Sequence, residues 1–147
     1  MKLIIACDPK GGIGFNGKLP WSKIEGDLPR FKALTTEKIV LMGRNTWDSL
    51  PKKPLPNRTN WVKTTRPIID VTNPSDDTIF KETEVWLIGG AKMIQSYWHH
   101  IDEIHLSKIF AEYTCDTFID LLKLEQEFTC WFKEDLIDHS YQISKRK

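Results

Sequence analysis

Apolar residues of this chain fall into short, almost continuous runs, separated by segments rich in glycine, proline and asparagine. Such runs predict strands, and a continuous one such as residues 39–42 predicts a strand buried on both faces of a sheet. Residues 103–110 instead alternate between apolar and polar, as a half-buried strand does. Strands are predicted at residues 3–7, 39–42, 59–64, 68–71, 84–88, 103–110, 128–134 and 140–145.

Helices are predicted between these strands, at Asp27–Thr35 and at residues 45–50 and 91–99. In the first, Asp27 is a residue type that caps helices, and Pro29 lies in the first turn. Residues 9–20 predict a glycine-rich loop, and residues 73–77 predict a turn. Helices and strands alternate early and strands pair late. This order predicts a single α/β domain over residues 1–147, with a mostly parallel sheet and an antiparallel edge.

The bulk composition excludes several classes of protein. The 147 residues suit one domain, 40% of them are hydrophobic, and the net charge is +1. This balance predicts no nucleic-acid or membrane partner, and no apolar run approaches the length of a membrane span. The run at residues 3–7 is also too short for a signal peptide. We therefore expect a soluble, cytoplasmic protein, with a monomer as the default.

Cysteines and histidines form no pattern that predicts a disulfide or a metal site. Cys7, Cys115 and Cys130 are odd in number and widely spaced, which favours a reducing compartment. The histidines do not pair with cysteines or carboxylates at the spacing of metal ligands. No metal is expected.

The segment Gly12-Ile13-Gly14-Phe15-Asn16-Gly17 matches the G-x-G-x-x-G fingerprint of dinucleotide-binding folds. That fingerprint requires its third glycine to lie in a helix, yet Gly17 precedes Lys18-Leu19-Pro20-Trp21, which does not open one. No acidic residue ends a second strand about 20 residues further on. We therefore reject a Rossmann site. The segment is either a mobile loop that closes over a ligand or a plain surface loop.

Two strand ends lead through glycine into a predicted helix. At Gly43-Arg44-Asn45 an arginine joins the free N–H groups of a helix start, which suits a phosphate. Ile88-Gly89-Gly90-Ala91 repeats the design, with small residues that let a ligand approach the backbone. A capped helix with a surface arginine, and a tight turn, are the alternatives. Two such starts in one domain suit a dinucleotide better than either does alone.

Asp27 has two readings that do not exclude each other. Its neighbours Leu28, Pro29 and Phe31 are apolar, so its carboxylate would face an apolar pocket. A buried carboxylate needs a partner, and a heterocycle with an amidine-like N–H edge would pair with it through two hydrogen bonds. The alternative is a helix N-cap.

Taken together, several segments resemble the dihydrofolate reductase family, in its short bacterial or phage form. In chain order they are Leu3-Ile4-Ile5-Ala6, Ile13-Gly14, Leu19-Pro20-Trp21, Asp27-Leu28, Phe31-Lys32, residues 42–49, Pro54-Leu55-Pro56-Asn57-Arg58, residues 88–91 and Asp116-Thr117-Phe118. The resemblance implies that family's fold, a mixed, mostly parallel central sheet with an antiparallel C-terminal edge strand and helices on both faces. It also implies NADPH-dependent reduction of 7,8-dihydrofolate to tetrahydrofolate, which supports one-carbon metabolism and thymidylate synthesis. Such an enzyme would be a target of antifolates.

The resemblance implies Asp27, Trp21 and Ser107 as catalytic residues. Asp27 would bind the 2-amino group and N3 side of the pterin, and its charge would favour protonation of N5, with water as the donor. Trp21 would help to close the pocket, and Ser107 stands where the family usually has threonine. The implied substrate-binding residues are Ile4, Ile5, Leu28, Phe31, Lys32, Leu50, Lys53, Arg58 and Ile88. Of these, Arg58 would hold the α-carboxylate of the glutamate tail, assisted by Lys53.

By the same resemblance, NADPH would lie against the strand ends and the glycine-rich loop. Arg44, with Thr65 and Arg66, would bind the 2′-phosphate and so select NADPH over NADH. Gly89 and Gly90 would be joined by a cis peptide bond. The implied cofactor-binding residues are Ala6, Ile13, Gly14, Gly17, Lys18, Gly43, Arg44, Asn45, Thr46, Thr64, Thr65, Arg66, Gly89, Gly90, Ala91, Lys92, Met93 and Ile94.

The chain departs from the family pattern at three places. The helix that often precedes the Gly-Gly strand is predicted to be missing, which would leave the adenine side of the cofactor less covered. Ile94 replaces a common tyrosine, and Cys115 replaces a common glycine. Two other functions stay open, namely NADPH-dependent reduction of a pyrimidine on a related fold, and folate binding without turnover. Asp27 and Arg58 favour the pterin substrate.

Overall fold

The computed structural model describes residues 1–22 and 24–147. Its main sheet consists of β1 Lys2–Cys7, β3 Ile39–Gly43, β4 Thr59–Lys63, β5 Val85–Gly89, β6 Glu103–Ile109, β8 Phe128–Asp135 and β9 His139–Arg146. A two-stranded sheet pairs β2 Gly12–Gly14 with β7 Thr117–Phe118. The strand predicted at residues 68–71 is wrong, because these residues lie in turns and bends, and the isolated bridge to Trp61 is made by Thr72, just after them.

The main sheet is parallel on one side and antiparallel on the other. Its strand order is β4-β3-β5-β1-β6-β9-β8, in which the strands from β4 to β6 run parallel and β9 pairs antiparallel with both β6 and β8. The predicted mixed sheet with an antiparallel C-terminal edge is confirmed. Parallel strands end at the same edge of a sheet, where ligands bind in open α/β folds. The five strands of the parallel part end at that edge with Cys7, Gly43, Lys63, Gly89 and Ile109.

Helices cover both faces of this sheet, as the resemblance implies. They are α1 Asp27–Thr35, α2 Arg44–Ser49, α3 Asp76–Lys81, α4 Ala91–Ser96 and α5 Leu121–Glu127. Successive strand residues point to opposite faces, so Leu41 joins one core cluster while Val40 and Met42 join the other. Cluster members from α1 and α2 lie with Val40, whereas those from α3, α4 and α5 lie with Leu41.

The helix α3 corrects the prediction that no helix precedes β5. Only a turn was expected at residues 73–77, but the Ser75 side chain accepts a hydrogen bond from the Thr78 N–H at 3.2 Å and caps a helix there. Ile79 is buried beneath it, and the Tyr97 hydroxyl donates to Asp76 at 2.6 Å. The less covered adenine side, which was expected from a missing helix, therefore has no basis in the fold.

Two other helices differ from expectation. The sequence pattern did not indicate α5, although Asp120 caps it by accepting from the Lys123 N–H at 3.0 Å. The helix predicted at residues 91–99 ends at Ser96, and a separate 3-10 turn follows at Trp98–His100. Within residues 1–22 and 24–147, no helix is long and apolar enough to cross a membrane.

The glycine-rich segment forms a short hairpin and not a helix start. Phe15 and Lys18 exchange backbone hydrogen bonds at 2.8 and 3.0 Å. Between them, Asn16 and Gly17 have φ angles of 51° and 75°, as the centre of a tight hairpin turn requires. Gly17 is thus a turn residue, which confirms the rejection of the Rossmann reading. The loop expected over residues 9–20 is wrong in part, because β2 occupies its middle.

Candidate active site

Asp27 begins helix α1 near the end of strand β6. Its expected role as the N-cap is wrong, because Gly26 occupies that position with φ 80°, and a glycine has no side chain with which to cap the helix. The Asp27 carboxylate instead reaches the sheet, where the Ser107 hydroxyl donates to its Oδ1 at 2.7 Å. Ser107 is buried on β6, so the hydroxyl position is set by the strand. The structure therefore brings together two of the three expected catalytic residues.

The surroundings of this carboxylate are more polar than the sequence suggested. Leu28 is 70% exposed and Pro29 is exposed, so neither builds the apolar pocket expected around Asp27. The guanidinium of Arg30, one helical turn on, lies 3.7 Å from Asp27 Oδ1 and donates to Ser107 Oγ at 3.2 Å. Sequence reasoning missed Arg30, although the i, i+3 spacing from Asp27 was a usable signal.

Trp21 lies in the segment between the hairpin and α1. Its ring is only 6% exposed and packs in a small cluster with Ile24 and Ile109. The Tyr113 ring meets it edge-on, at 5.7 Å between centroids. Trp21 therefore anchors this segment on the carboxyl end of β6. Its expected role in closing the pocket stays a prediction.

The apolar residues expected around the substrate lie on one side of the sheet or at its carboxyl edge. Ile4, Leu50 and Ile88 are partly buried against the Val40 cluster, and Ile5 packs against the other cluster. Phe31 is half-buried on α1, while Lys32 beside it is exposed. None of these placements contradicts a pocket between α1 and the sheet.

Arg58 and Lys53 have separate partners within the protein. Arg58 donates to the Pro56 carbonyl at 2.8 Å and to Thr35 Oγ1 at 3.3 Å. Partial burial lowers the pKa of Arg58 from its usual value, which for arginine still leaves a cation at neutral pH. Lys53 donates to the carbonyls of Trp47 and Asp48 at 3.2 and 3.1 Å, and so covers the end of α2.

The ends of β3 and β5 carry Gly43 and Gly89, and each lies against a side chain from the helix that follows the other strand. A Cβ built on Gly89 would lie 3.3 Å from Thr46 Oγ1, and one on Gly43 would lie 3.0 Å from Met93 Cγ. The start of α2 therefore faces the end of β5, and α4 faces the end of β3. Gly89 and Gly90 are joined by a cis peptide bond, as expected. Each glycine opens a space at the sheet edge that a larger residue would narrow.

The residues expected at the 2′-phosphate form one exposed group beyond β3 and β4. Arg44 pairs with Asp48 at 3.1 Å and also reaches the Arg66 carbonyl at 3.5 Å. The Thr64 hydroxyl accepts from the Arg66 N–H at 3.3 Å, which folds the turn that contains Thr65. A half-exposed arginine and a polar turn therefore share this corner of the sheet.

The other expected cofactor residues lie nearby or in the hairpin. Ile13 is buried in β2, and Asp116 holds the loop by accepting from the Asn16 N–H at 2.9 Å. That backbone hydrogen bond lowers the pKa of Asp116 below its usual value. The remaining expected residues are Ala6, Gly14, Gly17, Lys18, Asn45, Ala91, Lys92 and Ile94, among which Gly17, Lys18, Asn45 and Lys92 are exposed and Ile94 is buried.

A family comparison accounts for this combination of fold and site. The family model described as dihydrofolate reductase matches residues 1–145. The match covers almost the whole chain and places it among the α/β oxidoreductases. The chain belongs to the dihydrofolate reductase family.

Individual relatives agree with the family match. The chain is 34% identical to dihydrofolate reductase type 8 of Escherichia coli, over 98% of this chain and 94% of that protein. It is 30% identical to dihydrofolate reductase of Ureaplasma parvum, over 100% and 99% of the two chains. A bifunctional dihydrofolate reductase-thymidylate synthase of Paramecium tetraurelia is 35% identical over 80% of this chain, but over only 28% of its own length.

Proposed function

We propose that this chain catalyses the NADPH-dependent reduction of 7,8-dihydrofolate to 5,6,7,8-tetrahydrofolate. The observation that carries the proposal is the Asp27 carboxylate, fixed by the buried Ser107 hydroxyl at 2.7 Å beside the carboxyl edge of the sheet. Among the described residues, Asp27 Oδ2 has no hydrogen-bond partner within the chain. This oxygen is available to a ligand, as is the second acceptor site of Oδ1.

The pterin ring offers the matching donors. Its 2-amino group and N3–H form an amidine-like edge that pairs with both oxygens of a carboxylate. Asp27 would hold the ring in one orientation, and its negative charge would stabilise the positive charge that develops when N5 takes a proton. In this mechanism water delivers the proton, and Asp27 acts through its charge.

The chain also has features that fit a dinucleotide. Gly43 and Gly89 keep side chains away from the sheet edge, where an added Cβ would approach Met93 or Thr46. Arg44 supplies a cation for the 2′-phosphate. When bound, NADPH supplies the hydride that moves from nicotinamide C4 to pterin C6. The residues that would hold it are those around Gly43, Thr64 and Gly89, together with the β2 hairpin.

The glutamate tail of the substrate would meet Arg58. Its guanidinium is already oriented by Pro56 and Thr35, and such a fixed fork suits a carboxylate. Phe31 and Leu50 would contact the apolar middle of the substrate. Lys53 would contribute less than Arg58, because it is engaged with α2.

The test is NADPH oxidation with dihydrofolate, comparing the native chain with Asp27→Asn. Turnover by the native chain, with a loss of about a hundred-fold or more in the variant at neutral pH, supports the proposal. Asp70→Asn is the matched control, because Asp70 is exposed and its φ of 63° suits asparagine. A native chain that binds NADPH without oxidising it in the presence of dihydrofolate would instead favour another heterocycle as substrate.

We also infer a cytoplasmic monomer that acts on this small molecule without a nucleic-acid or membrane partner. The net charge of +1 supports the absence of a charged docking surface. Cys7, Cys115 and Cys130 are free thiols, as suits a reducing compartment. Sedimentation or light scattering of the purified chain tests the monomer directly.

A further inference from the structure

We propose that Arg30 positions the Asp27 carboxylate and the Ser107 hydroxyl for the substrate, as the central member of a partly buried chain of hydrogen bonds that ends at Asp138. The proposal rests on the proposed function, because it concerns how the pterin-binding carboxylate is held. Arg30 lies 3.7 Å from Asp27 and 3.2 Å from Ser107, and its side chain is 17% exposed.

The direction of each hydrogen bond in this network follows from which groups can donate and which can accept. Arginine can only donate, so Arg30 Nη1 gives one hydrogen to Ser107 Oγ at 3.2 Å. The Ser107 hydrogen is then directed away from Arg30, toward Asp27 Oδ1 at 2.7 Å. Arg30 thus determines which way the serine hydroxyl points, and it places a positive charge beside the carboxylate.

The donor role of Arg30 also fixes the tautomer of His139. Arg30 Nη1 lies 3.2 Å from His139 Nε2, which must therefore accept. The remaining ring proton is on Nδ1 and is donated to Asp138 Oδ1 at 2.7 Å. His139 is fully buried. The ring thus bridges Asp138 and Arg30, because its Nδ1 donates to the carboxylate while its Nε2 accepts from the guanidinium.

Other groups restrain Arg30 from the remaining directions. The Tyr141 ring stacks on the guanidinium, with 4.1 Å between Cζ and the ring centroid. Asp138 Oδ2 accepts from the Glu25 N–H at 2.9 Å, which ties the network to the segment just before α1. Within residues 1–22 and 24–147, the charged and titratable groups facing Arg30 are thus Asp27, His139 and Tyr141, with Asp138 behind the histidine. A side chain held at this many points has little freedom, so it can fix its neighbours at low entropic cost.

The experiment is a double-mutant cycle of Arg30→Met and Asp27→Asn. It measures kcat/KM with dihydrofolate, and the Kd of dihydrofolate from the quenching of tryptophan fluorescence. In the native background we expect Arg30→Met to lower kcat/KM about ten-fold or more, as for the loss of a charge-assisted hydrogen bond. In the Asp27→Asn background its effect on either readout should largely vanish, because the group through which Arg30 acts is already neutral.

A purely structural role would give a different result. It would weaken NADPH binding as well, and its effect would persist in the Asp27→Asn background. Arg30→Lys keeps the cation and should recover most of the lost kcat/KM. If Arg30→Met does not fold, Arg30→Gln serves in the same cycle, since it keeps donors on a shorter side chain but removes the charge.

Three outcomes overturn the inference. One is an Arg30 variant with native kcat/KM, and another is an equal loss in both backgrounds. The third is an increase in kcat/KM on replacing Arg30. The Arg30 cation also repels the positive charge that develops on the pterin, so an increase would mean that Arg30 reduces the electrostatic effect of Asp27. Turnover by the native chain separates these failures from that of the proposed function. A native chain without turnover overturns both.

Discussion

Asp8 organises the turn after β1 with a single buried carboxylate. Burial by itself raises the pKa of Asp8, but hydrogen bonds from the N–H groups of Gly12, Tyr113 and Lys10 outweigh it and hold the pKa below its usual value. The Gly12 and Lys10 bonds, at 2.8 and 2.9 Å, close the turn, and the Tyr113 bond at 3.2 Å ties it to a distant loop. An aspartate before a Pro-x-Gly segment was a turn signal in the sequence, but its distant partner was not readable there.

We expect Asp8→Asn to lower the free energy of unfolding by about 1–3 kcal/mol at neutral pH, because an amide cannot accept from all three N–H groups. The pKa of Asp8 is lowered in the folded state. Its stabilising effect is therefore complete above the unfolded pKa of about 4 and is lost as pH falls through the folded value. Urea unfolding of both proteins at several pH values checks this. A difference in unfolding free energy between the native chain and the variant that stays constant down to the lowest pH would contradict this prediction.

Arg44 is the residue on which the choice between NADPH and NADH depends in the proposed function. Its ion pair with Asp48 is half-exposed and contributes little to stability, so its charge is available to a phosphate. We expect Arg44→Ala to reduce kcat/KM for NADPH about ten-fold or more, and to change the value for NADH much less. NADH is the internal control in this measurement. An equal loss with both cofactors would show that Arg44 supports the fold and does not read the phosphate.

At the scale of elements, the small β2–β7 sheet depends on a close contact between Gly12 and Cys115. A Cβ on Gly12 would overlap Cys115 Sγ and lie 2.7 Å from Cys115 Cβ, closer than real side chains approach. The Cys115 side chain therefore leaves no room for a Cβ at position 12 unless one of the two residues shifts. The two residues form one packing unit although they are far apart in sequence.

We expect Gly12→Ala to destabilise the chain by about 1–3 kcal/mol through overpacking. Adding Cys115→Gly should recover most of that loss, because it removes both atoms that clash. Thermal unfolding of the two single variants and the double variant measures the recovery, with Cys115→Gly alone as the reference. If the double variant is no more stable than Gly12→Ala, the contact is not the cause.

At the scale of the whole molecule, the two core clusters are joined by the strands they share. Leu41 belongs to one cluster and its chain neighbours Val40 and Met42 to the other, so neither face can come apart without exposing the strand between them. The antiparallel hairpin of β8 and β9 continues the same sheet through β6. This continuity favours the predicted single domain over residues 1–147.

We therefore expect one cooperative unfolding transition. Tryptophan fluorescence reports on both core clusters, because Trp86 lies in one and Trp98 in the other. If both clusters unfold together, fluorescence and far-ultraviolet circular dichroism give the same midpoint. Saturating NADPH should raise that midpoint, because a ligand at a hundred times its Kd adds about 2.7 kcal/mol to the free energy of unfolding. Two separate midpoints would contradict the single domain. An unchanged midpoint with NADPH would count against the proposed cofactor alone.

Most strands and the direction of the sheet could be predicted from the chain, because continuous apolar runs such as residues 39–42 are the signal of buried parallel strands. The failures have local causes. Ser75 and Asp120 are capping residues, but the helices they begin are short and their buried sides amount to little more than Ile79 and Leu124. So brief a pattern gives little periodicity to detect. Residues 68–71 contain apolar side chains yet pack against the sheet without joining it.

The chain by itself determined the α/β class, the strand-end glycines and the residues whose order resembles dihydrofolate reductase. These depend on local pattern, which is written along the sequence. Only the tertiary structure decided that Asp27 and Arg30 both meet Ser107, and that Arg30 in turn meets His139. Such contacts join α1 to β6 and β9 across about a hundred residues. Their distances depend on how the elements pack, because a side chain's charge and hydrogen-bond capacity are properties of its type while its partners are properties of the fold.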